Sequence, residues 1–213
     1  MLRKLGVWGA ALALGLAPAV AAAAIKGDPK AGQMKAALCE GCHGPGGNSP
    51  VADFPRLAGQ YESYIAKQIH DFQKGLRNNN PTMAGMAATV ASMQDAHDIG
   101  AYFQRQKMAK EPIAPVDKKK AAVGKRIFYE GIPEKDVYAC VNCHGERGKG
   151  KAPHISVFPV IGGQHRDYII KQLKDFREGT RANDPAGMMA DIARKLSDAE
   201  MEAVAHYLSS LLP

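Results

Sequence analysis

Little in this sequence of 213 residues speaks for β-structure or for a disulfide framework. No stretch alternates apolar and polar residues convincingly enough to read as a strand, which excludes a sheet-built domain and leaves an all-α fold. Cysteine is scarce as well. There are four, all of them inside two short motifs, so none is left over to staple a loop.

Those motifs are Cys39-Glu40-Gly41-Cys42-His43 and Cys140-Val141-Asn142-Cys143-His144. C-x-x-C-H is the spacing of covalent haem attachment. Two thiols three positions apart reach the two vinyl groups on one edge of a haem and form thioethers, and the next residue, a histidine, lies beneath the iron. A redox dithiol has no use for that histidine. A zinc site would have to gather four cysteines from stretches about 100 residues apart and leave both histidines idle. The motifs therefore imply two covalent haem c groups, held through Cys39, Cys42, Cys140 and Cys143, with His43 and His144 as proximal ligands.

Residues 1–24 read as an export signal: Arg3 and Lys4 in a short positive region, an apolar core from Leu5 to Leu16, a break at Pro18 and small residues from Ala19 to Ala24. An uncleaved anchor is the competing reading, since Leu5 to Ile25 approaches the length of a bilayer span. Haem is attached to exported chains, so the expected compartment is the periplasm. The formal charge of +7 falls to about +5 without Arg3 and Lys4, and four propionates would bring it near +1, which removes the case for nucleic-acid binding. Lysines cluster at Lys118, Lys119, Lys120 and at Lys149, Lys151, and are expected on a solvated face.

The rest of the chain reads as two copies. Phe54-Pro55 through Gly59-Gln60 recurs as Phe158-Pro159 through Gly163-Gln164 at an offset of 104. Tyr64, Ile65, Gln68, Phe72, Gly75, Arg77, Asn79 and Pro81 have identical counterparts at the same offset, which argues for duplication. Residues 25–106 and 121–213 are the two expected domains, joined by a linker, 107–120, carrying Pro112, Pro115 and the lysine run. In the first, Asp28-Pro29 starts a short helix, Lys30 to Leu38, running into the motif. An amphipathic helix carries Tyr61, Tyr64, Ile65, Ile69 and Phe72 and ends at Gly75. A last helix runs from Asp95 to Gln106. In the second copy the closing helix opens with a capping box, Ser197 to Glu200, and pairs in the repeat with the Asp95 helix. Each domain is small, and a haem supplies apolar mass that about 90 residues lack.

Whether such an iron carries electrons or does chemistry turns on its sixth ligand. Met86 lies 43 residues after His43 and Met189 lies 45 after His144, each seven residues before a hydrophobic position, Met93 or Leu196, that precedes the last helix. They are the expected axial pair, with Met83 and Met188 as near competitors. A thioether favours Fe(II), raises the potential and closes the site to small ligands. Pro55 and Pro159, 12 and 15 residues after their histidines, are candidate carbonyl acceptors for the second ring nitrogen. Arg56, Arg77 and Arg181 could pair with propionates or lie on the solvated surface. His70, His97, His154, His165 and His206 read as ordinary surface or edge residues.

With both motifs, both FP…GQ segments and the late methionines in place, residues 25–213 resemble the dihaem cytochrome c4 family. The resemblance implies two tandem class I cytochrome c domains related by a pseudo-twofold, with His43 and Met86 on one iron and His144 and Met189 on the other. It also implies outer-sphere electron transfer in the periplasm, from a donor such as a quinol-oxidising complex toward a terminal oxidase, often with loose membrane association. Two rivals remain: the electron-accepting subunit of a flavocytochrome dehydrogenase, and a dihaem peroxidase, which would need an open iron.

Overall fold

The computed structural model describes residues 25–109 and 114–211. The expected signal, 1–24, and part of the linker, 110–113, lie outside the described residues. Ten α-helices and no strands occur among them, with one isolated antiparallel bridge between Ile132 and Val137. None of these helices is long and apolar enough to cross a membrane.

The first domain contains α1 (Pro29–Lys35), α2 (Ala37–His43), α3 (Glu62–Gln73), α4 (Pro81–Ala87) and α5 (Met93–Gln104). Asp28 caps α1 as expected, its carboxylate accepting from the Lys30 and Ala31 amides. The helix is not continuous to Leu38: it breaks at Ala36, and α2 then carries the whole C-x-x-C-H. α5 starts at Met93 rather than Asp95, because Ser92 accepts from the Asp95 amide and caps the helix two residues earlier.

The second domain contains α6 (Lys118–Glu130), α7 (Val141–His144), α8 (Arg166–Glu178), α9 (Met188–Lys195) and α10 (Asp198–Ser210). The lysine run placed in the linker is the first turn of α6, since Asp117 accepts from the Lys119 and Lys120 amides. The capping box of Ser197 and Glu200 is present at α10.

In each domain the first and last helices cross, α1 on α5 and α6 on α10, at a glycine. A Cβ on Gly32 would meet the Asp98 carbonyl oxygen at 1.9 Å, and one on Gly124 the Ala203 oxygen at 1.9 Å. Only glycine permits that approach. Each crossing holds the last helix across the domain, and α3 or α8 packs beside it, with the motif helix and the methionine helix completing the walls of one large space.

A haem-sized cavity shared by two domains

That space is a continuous cavity of about 990 Å³ lined by both domains. His43 sits at the end of α2 and His144 at the end of α7, and both are buried. Their Nδ1 atoms lie 2.8 Å from the Pro55 carbonyl oxygen and 3.0 Å from that of Pro159. A carbonyl only accepts, so Nδ1 carries the proton and Nε2 keeps its lone pair. Burial, opposed by that hydrogen bond, lowers both histidine pKa values and favours the neutral imidazole that a metal needs.

Cys39, Cys42, Cys140 and Cys143 are free thiols on the cavity wall. Burial raises the Cys39 pKa and pushes that of Cys140 up to about 11. Neither is the low-pKa nucleophile of a redox dithiol. No group of three His, Cys, Asp or Glu side chains among the described residues is arranged to hold a metal ion.

Met83, Met86, Met188 and Met189 all line the cavity. Counting back from Met93 and Leu196 pairs Met86 with Met189, but Met93 opens α5, and the residue whose amide donates to the Ala87 carbonyl, as that of Leu196 does to Ala193, is Val90. α4 and α9 align on their buried alanines, Ala87 at 1% and Ala193 at 0% exposure. In that register Met83 matches Met189 and Met86 matches Ile192. Met83 and Met189 each pack against the core of their own domain. The register thus moves the first-domain candidate from Met86 to Met83.

Between the domains lies a buried polar network built twice. Arg77 donates to Gln68 (2.9 Å), Tyr168 (3.2 Å) and Gln172 (2.8 Å), while Arg181 donates to Gln172 (2.8 Å), Tyr64 (2.9 Å) and Gln68 (3.3 Å). Each guanidinium also covers a phenylalanine ring, Phe72 or Phe176. Burial opposes ionisation of Tyr64, yet the Arg181 and Arg77 charges outweigh it and hold its pKa below the ordinary tyrosine value. Arg56, Arg77 and Arg181 are buried rather than solvated, and all three line the cavity.

His165 and His206 are buried, not surface residues. His165 Nε2 lies 3.1 Å from the Ser49 carbonyl oxygen of the other domain, and His206 Nδ1 accepts from the Asp117 amide that precedes α6. Their helical or loop setting alone gave no sign of this, because the burial comes from the opposing domain and from α6.

Helices wrapped around an apolar cavity that presents Cys-x-x-Cys-His on one side and methionine on another define a class I c-type cytochrome, here two in tandem. The Cytochrome c family model matches residues 121–212. Cytochrome c4 of Pseudomonas aeruginosa is 44% identical over 186 residues, covering 87% of this chain and 89% of that protein. The crystal structure of reduced recombinant cytochrome c4 from Pseudomonas stutzeri matches with a TM-score of 0.79 at 40% identity, over 87% of this chain and 99% of that one. A thiosulfate dehydrogenase electron acceptor from Thiomonas intermedia is 37% identical, over 83% of this chain and 79% of that protein. The chain belongs to the cytochrome c4 family. It is a haem c electron carrier, not an enzyme.

Proposed function

We propose that this chain holds two haem c groups, one per domain, and carries electrons in the periplasm between redox proteins. The observation that carries the reading is the repetition of one arrangement, His43 bonded to Pro55 and His144 bonded to Pro159 on the wall of a single apolar cavity. The cysteine pairs would hold each haem covalently, His43 and Met83 would ligate the first iron, and His144 and Met189 the second. Each haem, when bound, supplies a one-electron Fe(III)/Fe(II) couple. The chain's own part is to fix the histidine tautomer, occupy both axial positions, exclude water with Ile65, Phe72, Leu173 and Phe176, and place arginines where propionates can meet them.

Two partner sets have support. Membership of the cytochrome c4 family favours a quinol-oxidising donor and a terminal oxidase acceptor, with loose membrane association. The likeness to a thiosulfate dehydrogenase electron acceptor favours the reading in which a sulfur-compound dehydrogenase is the donor. Methionine at both irons argues against the peroxidase reading, which requires an open site.

The test is haem content and ligand accessibility of the purified protein. Two covalent haems per chain and no carbon monoxide binding on reduction are expected. One haem, or a reduced haem that binds carbon monoxide, would contradict the closed-carrier reading. Mixing the oxidised protein with a reduced thiosulfate dehydrogenase or a quinol-oxidising complex then ranks the donors by rate.

A further inference from the structure

Each domain ends its FP…GQ segment with a glutamine, and each glutamine reaches into the other domain. Gln60 Oε1 accepts from the Val160 amide at 3.1 Å and its Nε2 donates to the Val160 carbonyl at 2.8 Å. Gln164 does the same to Arg56, accepting from its amide at 2.9 Å and donating to its carbonyl at 3.0 Å. Both side chains are buried, at 7% and 9% exposure. Each Oε1 also accepts from the next amide of its own chain, Tyr61 or His165, both at 3.0 Å. Two N–H donors on the oxygen and one carbonyl on the nitrogen leave no freedom to flip the amide.

The peptide groups so gripped are the ones that matter to the irons. The Val160 N–H belongs to the same amide unit as the Pro159 carbonyl, which accepts from His144; the Arg56 N–H shares its unit with the Pro55 carbonyl, which accepts from His43. An amide whose N–H is engaged has a more negative oxygen, and linked hydrogen bonds strengthen one another. A stronger acceptor at Nδ1 gives the imidazole more anionic character and makes it a better donor to Fe(III).

We propose that Gln60 and Gln164 are crossed positioning residues: each domain's glutamine, through one peptide group, sets the donor strength of the other domain's axial histidine and holds that domain's reduction potential down. The inference rests on the two-haem reading above. It places redox tuning across the domain interface, in a chain of ordinary hydrogen bonds that runs through amide groups to the histidine ring.

The experiment is a redox titration of the holoprotein followed by NMR, with haem methyl signals assigned to each domain, on Gln60→Leu, Gln164→Leu and Tyr61→Phe. Tyr61 OH donates to the Lys149 carbonyl across the same interface at 2.8 Å but touches neither proline peptide. Gln60→Leu should raise the potential of the His144 domain, a change of about two- to fivefold in its Fe(II)/Fe(III) ratio at fixed ambient potential, and leave the His43 domain within about 1.5-fold. Gln164→Leu should give the mirror result. The Nδ1 proton of the affected histidine should move upfield in the reduced protein, and Tyr61→Phe should move neither potential.

An own-domain shift, equal shifts in both domains, or a Tyr61→Phe shift as large as that of Gln60→Leu would overturn the relay and leave interface loosening as the cause. Haem content measured on the same samples separates the two ideas. Two haems with unmoved potentials defeat only the crossed relay, whereas a wild-type protein with one haem defeats the two-haem reading beneath it.

Discussion

The two domains share a plan but not a core. In the first, nine buried residues form the apolar cluster; six of them, Ile65, Ile69, Phe72, Ala87, Ile99 and Phe103, line the cavity, and the other three are alanines. In the second, fourteen residues form the cluster and eight lie away from the cavity, among them Ile127, Phe128, Met201 and Tyr207. Phe128, Tyr129 and Tyr207 pack ring against ring, with centroids 5.1 to 6.2 Å apart. The second domain therefore has apolar packing of its own, while in the first every cluster residue larger than alanine lines the cavity. Both domains contribute walls to the cavity, but only the second adds a packed apolar core away from it.

Removing each attachment site tests that difference most severely. Cys39→Ser with Cys42→Ser should unfold the first domain, seen as lost hydrogen-exchange protection in α3 and α5, while Cys140→Ser with Cys143→Ser should leave protection in α6 and α10. Equal loss in both would break the comparison. Next in size is Phe128→Ala, which should cost the second domain about 3–5 kcal/mol in denaturant unfolding, with little change in its potential because Phe128 lies off the cavity.

The glycine crossings should instead treat the domains alike. Gly32→Ala and Gly124→Ala each drive a methyl into a backbone carbonyl and should each cost about 1–3 kcal/mol. A pH dependence sharpens the interface. Burial, then the Arg56 charge, lowers the His165 pKa to about 4. The unfolded chain binds that proton near 6.5, so His165 contributes stability above pH 6.5 that is lost as pH falls toward 4. His165→Gln should flatten the pH dependence of unfolding over that window. The smallest effect expected is Ser197→Ala, about 1 kcal/mol from the lost cap of α10.

Much of this was legible in the sequence because covalent attachment imposes a local spacing: C-x-x-C-H must be contiguous to reach one porphyrin edge. The offset of 104 likewise exposed the duplication, and Ser197 and Glu200 announced the start of α10. What stayed hidden is set by contacts between distant segments. Counting residues put Met86 beside Met189, but only the buried positions of Ala87 and Ala193 reveal the helical register that selects Met83. Nothing local to Gly32 or Gly124 announces that α5 and α10 are laid across them. His165 reads as a surface or edge group, and Arg77 and Arg181 read equally as propionate partners or solvated groups, because what buries all three lies about a hundred residues away on the other domain.

In the proposed holoprotein methionine closes both irons, and Met83 closes the first. The far-red absorption band of Met-bound Fe(III), measured per haem in the wild type and in Met83→Leu and Met86→Leu, tests it most directly. Wild type and Met86→Leu should show the intensity of two centres and Met83→Leu that of one. Half intensity in Met86→Leu with full intensity in Met83→Leu would contradict the register, and half intensity in the wild type would contradict the closed pair itself.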